Sequence, residues 1–222
     1  MPDNALSRDA VVTRAVAIAD AEGLEAVTIR RIAQEFGVTP MALYWHVENK
    51  DGLLAAMGDV LYAGIDLSGD PGAPWADRFR GLLESLLAAM RRHPALLPLA
   101  YERVIQCADG RNVTEYALAL LREAGFSVRE SANIAVHSLR TVVGLIIDEP
   151  GMEIGVDVAT RAEHLQAKRA VIAALPAEQY PLLIDSVEDL IGCADQDGYD
   201  QLGLNLFIEG VQALARRVAT PV

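Results

Sequence analysis

The side chains in this sequence best suited to chemistry are donors that could grip an anionic backbone without breaking a bond. They cluster in Thr39-Pro-Met-Ala-Leu-Tyr-Trp-His46 and its flanks, which hold Thr28, Arg30 and Lys50. Tyr44 and His46 can donate to phosphate oxygens, and Lys50 can meet one as a point charge. Thr28 and Thr39 fall at the starts of predicted helices, whose free N–H groups favour anions. Arg30 carries the planar fork that fits guanine O6 and N7, a contact worth about 1–3 kcal/mol of discrimination, and Arg31 is its neighbouring competitor.

Covalent chemistry has no comparable support. His46, His93, His137 and His164 lie far apart without ligand spacing, and Cys107 and Cys193 stand alone. No Gly-rich phosphate loop occurs, and the acidic pairs Asp148-Glu149 and Glu188-Asp189 read as solvated faces. No enzyme, metal site or cofactor is expected. Lone thiols suit a reducing compartment, no apolar run is long enough for a membrane span, and the polar start is unlike a signal peptide. The expectation is a soluble cytoplasmic protein.

The donors need a frame, and apolar spacing is helical along nearly the whole chain, which predicts an all-α class. A first helix is expected over 7–22, with Ser7 as N-cap and Gly23 as terminator. A second is expected over 29–36, capped by Thr28, and a third over 40–46, with Thr39 as cap and Pro40 at its first position. Ala33, Gly37 and Leu43 have the types a close helix-turn-helix needs: a small residue at the crossing, a residue tolerant of positive φ in the turn, and an apolar plug. The same spacing occurs in ordinary helical hairpins. With Leu43 inward, however, Pro40, Met41, Ala42, Tyr44 and Trp45 project outward, and exposed aromatics call for a partner.

A fourth helix is predicted over 50–66, followed by the helix-breaking stretch Ser68-Gly-Asp-Pro-Gly-Ala-Pro74. The boundary is placed there, giving a helix-turn-helix domain at 1–66 and an all-helical effector-binding and dimerisation domain at 67–222. Helices are expected over 75–92, 94–104, 113–124, 129–148, 158–174, 178–192 and 201–218, with Gly110 as punctuation. The last is strongly apolar, and together with the run 139–147 it predicts a four-helix interface in a homodimer. The residues assigned to that interface are Gly144, Leu204, Phe207, Ile208, Val211 and Leu214.

Charge opposes the nucleic-acid reading. The net charge is −12, and residues 1–50 hold five bases against seven acids. Affinity for DNA would have to come from a few placed contacts and two-fold avidity.

The segment from Thr28 to Lys50, with Leu53-Leu54 after it, resembles the DNA-binding domain of the TetR family. The resemblance continues to the C-terminus, where 203–211 and 143–149 resemble the family's dimerisation helices. It implies a ligand-responsive transcriptional repressor that binds a palindromic operator as a homodimer and is released by a small-molecule effector. By resemblance Arg30 would read a base, Pro40, Met41 and Ala42 would face the major groove, and Thr28, Thr39, Tyr44, Trp45, His46 and Lys50 would position the backbone. The groove-facing trio is apolar here, which points to thymine methyl contacts. A helical protein-interaction module without DNA binding is the alternative.

Candidate effector contacts are Tyr101, Glu102, Tyr116, His137, Arg140 and Asp148. The histidine that serves magnesium in tetracycline-responsive members has no counterpart in 97–101, and Arg140 stands where a drug-contacting histidine is expected. Tetracycline–magnesium is therefore not the expected effector.

Overall fold

The computed structural model describes residues 6–219, which form α-helices and two short 3-10 turns with no strand among them. Helix α1 (Arg8–Glu22) starts where the Ser7 hydroxyl accepts the Ala10 N–H at 3.1 Å, and ends at Gly23, whose φ of +87° suits glycine. It buries Val11, Ala15, Ile18 and Ala19, the face expected from spacing, and also Val16. Helix α2 (Ile29–Phe36) follows a 3-10 turn (Leu24–Ala26) too short to register as a periodicity.

Two expected helices come out shorter. Helix α3 covers only Pro40–Leu43, and residues 44–46 continue as turn. Thr39 is its N-cap by backbone geometry but makes no side-chain cap hydrogen bond. Helix α4 (Lys50–Asp59) stops seven residues before the expected end at 66. The chain tightens there into i→i+3 bonds, Leu61 N to Gly58 O and Tyr62 N to Asp59 O, before Gly64 turns it at φ +73°. The tightening directs Leu61 and Tyr62 into the core.

The body begins with α5 (Trp75–Arg91), a 3-10 turn (Pro94–Leu99) and α6 (Ala100–Gln106). Cys107 is extended, which separates α6 from α7 (Ala108–Glu123), and its Sγ accepts the Gly110 N–H at 3.2 Å as a cap. Gly110 therefore does not break a helix. It lies in the first turn of α7, where a Cβ would stand 2.4 Å from the Val104 carbonyl oxygen. Helix α8 (Val128–Ile147) opens on a capping box between Ser127 and Glu130. Helices α5, α7, α8 and α12 (Gln196–Ala219) pack on one another, and one connected apolar core runs from α1 through them.

Between α8 and α12 lies an excursion of α9 (Val158–Ala173), α10 (Pro181–Asp185) and α11 (Val187–Ile191). The single helix expected over 178–192 is divided at Ser186, and none of the three helices has a buried residue. They contact one another.

Helix α12 corrects the expected dimer face. Leu204 and Ile208 are 0% exposed and Val211 4% within the protomer, so they have no surface left to offer a second copy. The small residue at the α8–α12 crossing is Gly203, where a Cβ would fall 2.3 Å from Leu145 Cδ2, whereas Gly144 lines a cavity on the other side of α8. Phe207 is half-buried and Leu214 exposed. The apolar stripe facing outward is Leu202, Leu206, Leu214 and Val218, in one i+4 row with Gly210, above which the space is open. Both sides of α12 are apolar, so periodicity alone could not separate the side facing the core from the side facing out.

Candidate functional site

Two arrangements could carry function, and the first is the N-terminal head. The Thr28 hydroxyl caps α2 by accepting the Arg31 N–H at 3.1 Å, and Gly37 takes the left-handed conformation at φ +65° that turns the chain toward α3. Ile32, Ala33 and Leu43 are buried where α2 and α3 cross. That packing leaves Pro40, Met41, Tyr44 and Trp45 exposed, with Ala42 and His46 half-buried; Trp45 retains 87% of its surface. Thr28, Arg30, Thr39 and Lys50 are also exposed, and Lys50 opens α4 directly after the Asn49 cap, which accepts the Gly52 N–H at 2.7 Å.

The two arginines differ sharply. Arg31 donates to Glu22 at 2.8 Å and to Glu35, and Arg14 reaches the same Glu35 at 3.3 Å. The Arg31 hydrogen bond, and then its charge, hold the Glu35 carboxyl below its ordinary range. Arg30 has no such partner among the described residues, so its fork is free to meet a ligand.

The head is tied to the body by pairs distant in sequence. Asp59 at the end of α4 accepts from Arg103 Nε of α6 at 2.7 Å, and the Tyr62 hydroxyl donates to the Ala100 carbonyl at 2.6 Å. Gly58 makes the approach possible, since a Cβ there would stand 2.6 Å from Arg103 Cγ and 3.0 Å from Leu99 Cβ. His93 Nδ1 lies 2.8 Å from Asp20 of α1. Sequence reading missed these contacts. The available signal was Gly58 itself, because a glycine inside a helix costs about 1 kcal/mol relative to alanine and marks close packing.

The second arrangement is a cavity of about 790 Å³ among α5, α6, α7 and α8, with an overwhelmingly apolar lining. Of the six effector candidates it brings together Tyr101, Arg140 and Asp148. The others lie elsewhere. Glu102 accepts from Gln106 on the surface of α6, Tyr116 lines a separate pocket beside Asp70 and Arg78, and His137 is exposed on α8 outside the cavity lining. Tyr62, Thr114 and Ser138 also line the cavity and were not anticipated. Burial pushes the Tyr62 hydroxyl well above the usual tyrosine range, so it stays a neutral donor.

The pair Asp148-Glu149 is not a solvated face. Asp148 is exposed at the cavity, but Glu149 is buried, accepting from Arg91 at 2.6 Å and from Gln196 at 2.9 Å. Arg91 Nε also donates to Asp200 at 2.6 Å, which joins α5, the end of α8 and the start of α12. Glu188 is exposed and pairs with Arg169 at 2.7 Å.

A helix-turn-helix head on a helical body with a cavity is the architecture of a DNA-binding transcriptional regulator. The chain belongs to the TetR family: residues 11–57 match the model of bacterial regulatory proteins of the tetR family, and residues 68–215 match the tetracyclin repressor-like C-terminal domain. It is similar to the HTH-type transcriptional repressor DrrR1 of Streptomyces coeruleorubidus, at 32% identity over 96% of this chain and 80% of that one. It is also similar to the class C tetracycline repressor protein of Escherichia coli, at 26% identity over 95% of this chain and 93% of that one. The crystal structure of Streptomyces coelicolor ActR in complex with actinorhodin superposes with a TM-score of 0.75 at 27% identity, covering 95% of this chain and 98% of that one. Among the described residues no helix is long and apolar enough to cross a membrane.

Proposed function

We propose that this protein is a cytoplasmic repressor that binds a palindromic operator as a homodimer and releases it when a small organic effector enters the cavity. The reading head is 1–66 and the effector-binding and dimerisation body 67–222. The observation that carries the reading is the contrast at the start of α2: Arg31 is spent on Glu22 and Glu35, while exposed Arg30 has no partner among the described residues, in the same head that exposes Met41, Tyr44 and Trp45. Arg30 reads a guanine edge, Pro40, Met41 and Ala42 meet thymine methyls, and Thr28, Thr39, Tyr44, Trp45, His46 and Lys50 hold phosphates and sugars.

The stripe Leu202, Leu206, Leu214 and Val218 supports pairing of two protomers through α12, and a two-fold pair would present its heads to successive major grooves about 34–36 Å apart. The route from cavity to head runs through α6. Tyr101 lines the cavity, and its neighbour Ala100 accepts the Tyr62 hydroxyl; two residues on, Arg103 grips Asp59 at the end of α4. Effector contact that shifts α6 would turn α4 and change the distance between heads. Taking a site from 99% to 1% competent needs about 5.5 kcal/mol of differential affinity. Tetracycline–magnesium is not the effector we propose, since the cavity lining includes Arg140 and no histidine. Actinorhodin in ActR shows that a related body of this fold holds a large organic molecule, and supports an effector of that size class here.

The test is selection of bound DNA from a random pool, followed by gel-shift titration. Tyr44→Phe and Lys50→Ala should weaken binding to all sequences about equally, and Arg30→Ala should relax preference at one position. Absence of any sequence preference in the unaltered protein would sink the reading.

A further inference from the structure

The head keeps two of its own cations occupied. Residues 1–50 carry five bases, Arg8, Arg14, Arg30, Arg31 and Lys50. Arg31 donates to Glu22 at the end of α1 at 2.8 Å and to Glu35 one turn along α2, and Arg14 of α1 reaches the same Glu35 at 3.3 Å. Two guanidinium groups and two carboxylates thus form a closed, neutral cluster between α1 and α2. Arg8, Arg30 and Lys50 are exposed and make no ion pair among the described residues. Arg31 starts in the same first turn of α2 as Arg30, and its side chain keeps 35% of its surface. What keeps it from a docked phosphate is therefore the pair of acids that hold it, not burial.

An arginine beside a DNA-reading surface is an ordinary phosphate ligand. For DNA to take Arg31, however, Glu22 and Glu35 must both give it up and then face the same polyanion, which repels them. A phosphate contact carries no sequence information. On random DNA the head can settle wherever its charges are best neutralised, whereas at an operator its register is fixed by base contacts, so a released Arg31 would favour random DNA over the operator. We propose that Glu22 and Glu35 are specificity-determining positioning residues: they hold Arg31, and through Glu35 also Arg14, out of the set of phosphate contacts, and so keep binding to non-operator DNA weak. Three unpaired cations in each head of a dimer allow the heads a log–log salt slope no steeper than about −5, against about −9 if all five in each engaged. The proposal rests on the reading of Arg30 and α3 as the surface that meets DNA.

The test is titration of the full chain, by fluorescence anisotropy, into its selected operator and into a random duplex of equal length, at about 50 and 200 mM salt. Glu22→Gln with Glu35→Gln releases the arginines and keeps side-chain size. Glu25→Gln with Glu48→Gln removes the same charge from two exposed acids of the head that hold no cation among the described residues, and serves as the control. Two more phosphate contacts per dimer should steepen the slope by about 2, so that lowering the salt strengthens binding to random DNA about tenfold more in the variant than in the control. The gain on the operator should be smaller, and adding Arg31→Gln should return the variant to the control. Arg31→Gln alone, which needs neither glutamate changed, should leave the slope where it is. A slope shallower by about 2 in Arg31→Gln would mean that Arg31 already meets phosphate, and overturns the proposal. So does an equal gain on operator and random duplex, or a salt response no different from the control. The reading surface is tested apart from this: an unaltered protein without preference for its selected site defeats that reading, whereas a preference that is kept, with no response to the glutamates, defeats this inference alone.

Discussion

The Tyr62 hydroxyl donates to the Ala100 carbonyl at 2.6 Å, joining the turn that leaves the reading head to the first residue of the helix that rims the cavity. Tyr62 is 1% exposed, and its ring also lines the cavity, so one side chain touches both the ligand space and the head's exit. Tyr62→Phe should keep the ring packing and lose the bond. A stability loss of about 0.5–1.5 kcal/mol is expected, read as a lower Tm. If the bond transmits, the variant should bind operator normally but need more effector for release. A variant with an unchanged effector titration would remove Tyr62 from the route.

Arg30 and Arg31 are adjacent yet should respond differently to truncation. Arg30→Ala removes an unpaired fork and should lower discrimination at one operator position by about 1–3 kcal/mol, with little change in Tm. Arg31→Ala instead leaves Glu22 and Glu35 without their shared cation, and should lower affinity for all sequences alike through added repulsion of phosphate. Gel-shift titrations against a set of single-base operator variants separate the two outcomes.

The same pair fixes a pH dependence. Glu35 has its carboxyl held below the ordinary 4.5 by the Arg31 hydrogen bond, and next by the Arg31 charge. Its contribution to stability is therefore complete above that ordinary value and is lost as pH falls through the lower folded one. The Tm difference between the unaltered protein and Glu35→Gln should be present at neutral pH and fade in acid. It should also shrink with added salt, since the pair is exposed. A difference independent of pH would mean that the ion pair contributes nothing.

Much of this was legible before the structure. Caps fixed the starts of α1 and α2 because Ser7 and Thr28 act on N–H groups three residues away, within reach of local reading. The reading head was legible for the same reason: α2, Gly37 and α3 are contiguous. What failed was long-range. Glu149 looked like a surface acid because Arg91 and Asp200, which bury it, are 58 and 51 positions away in the chain. Gly110 looked like a breaker because its real constraint, the Val104 carbonyl, belongs to another helix. Which of two apolar sides of α12 faces the core is likewise a fact about α5 and α8, not about α12.

That correction to α12 has opposite consequences on its two faces. Leu206→Glu, on the exposed stripe, should leave the protomer folded and convert the dimer to monomers in sedimentation, with loss of operator binding through lost avidity. Leu204→Ala, two residues away on the opposite side of the helix and fully buried, should cost about 2–5 kcal/mol of stability without selectively weakening self-association. A folded dimer in Leu206→Glu would exclude this stripe as the interface.

The strongest destabilisation should come from Arg91. Its side chain is 16% exposed and lies between Glu149 and Asp200, at 8% and 11%, so one cation serves two nearly buried carboxylates. Arg91→Met fills the space but leaves both anions facing each other out of water, and about 3–5 kcal/mol should be lost. The penalty belongs to the uncompensated charges rather than to the arginine's packing. Replacing all three together, Arg91→Met with Glu149→Leu and Asp200→Leu, should therefore recover most of it, since a buried ion cluster is often no more stable than apolar groups of similar volume. Thermal melts of the single and triple variants decide the matter: if the triple variant is less stable than Arg91→Met alone, the cluster stabilises by geometry and not merely by charge balance.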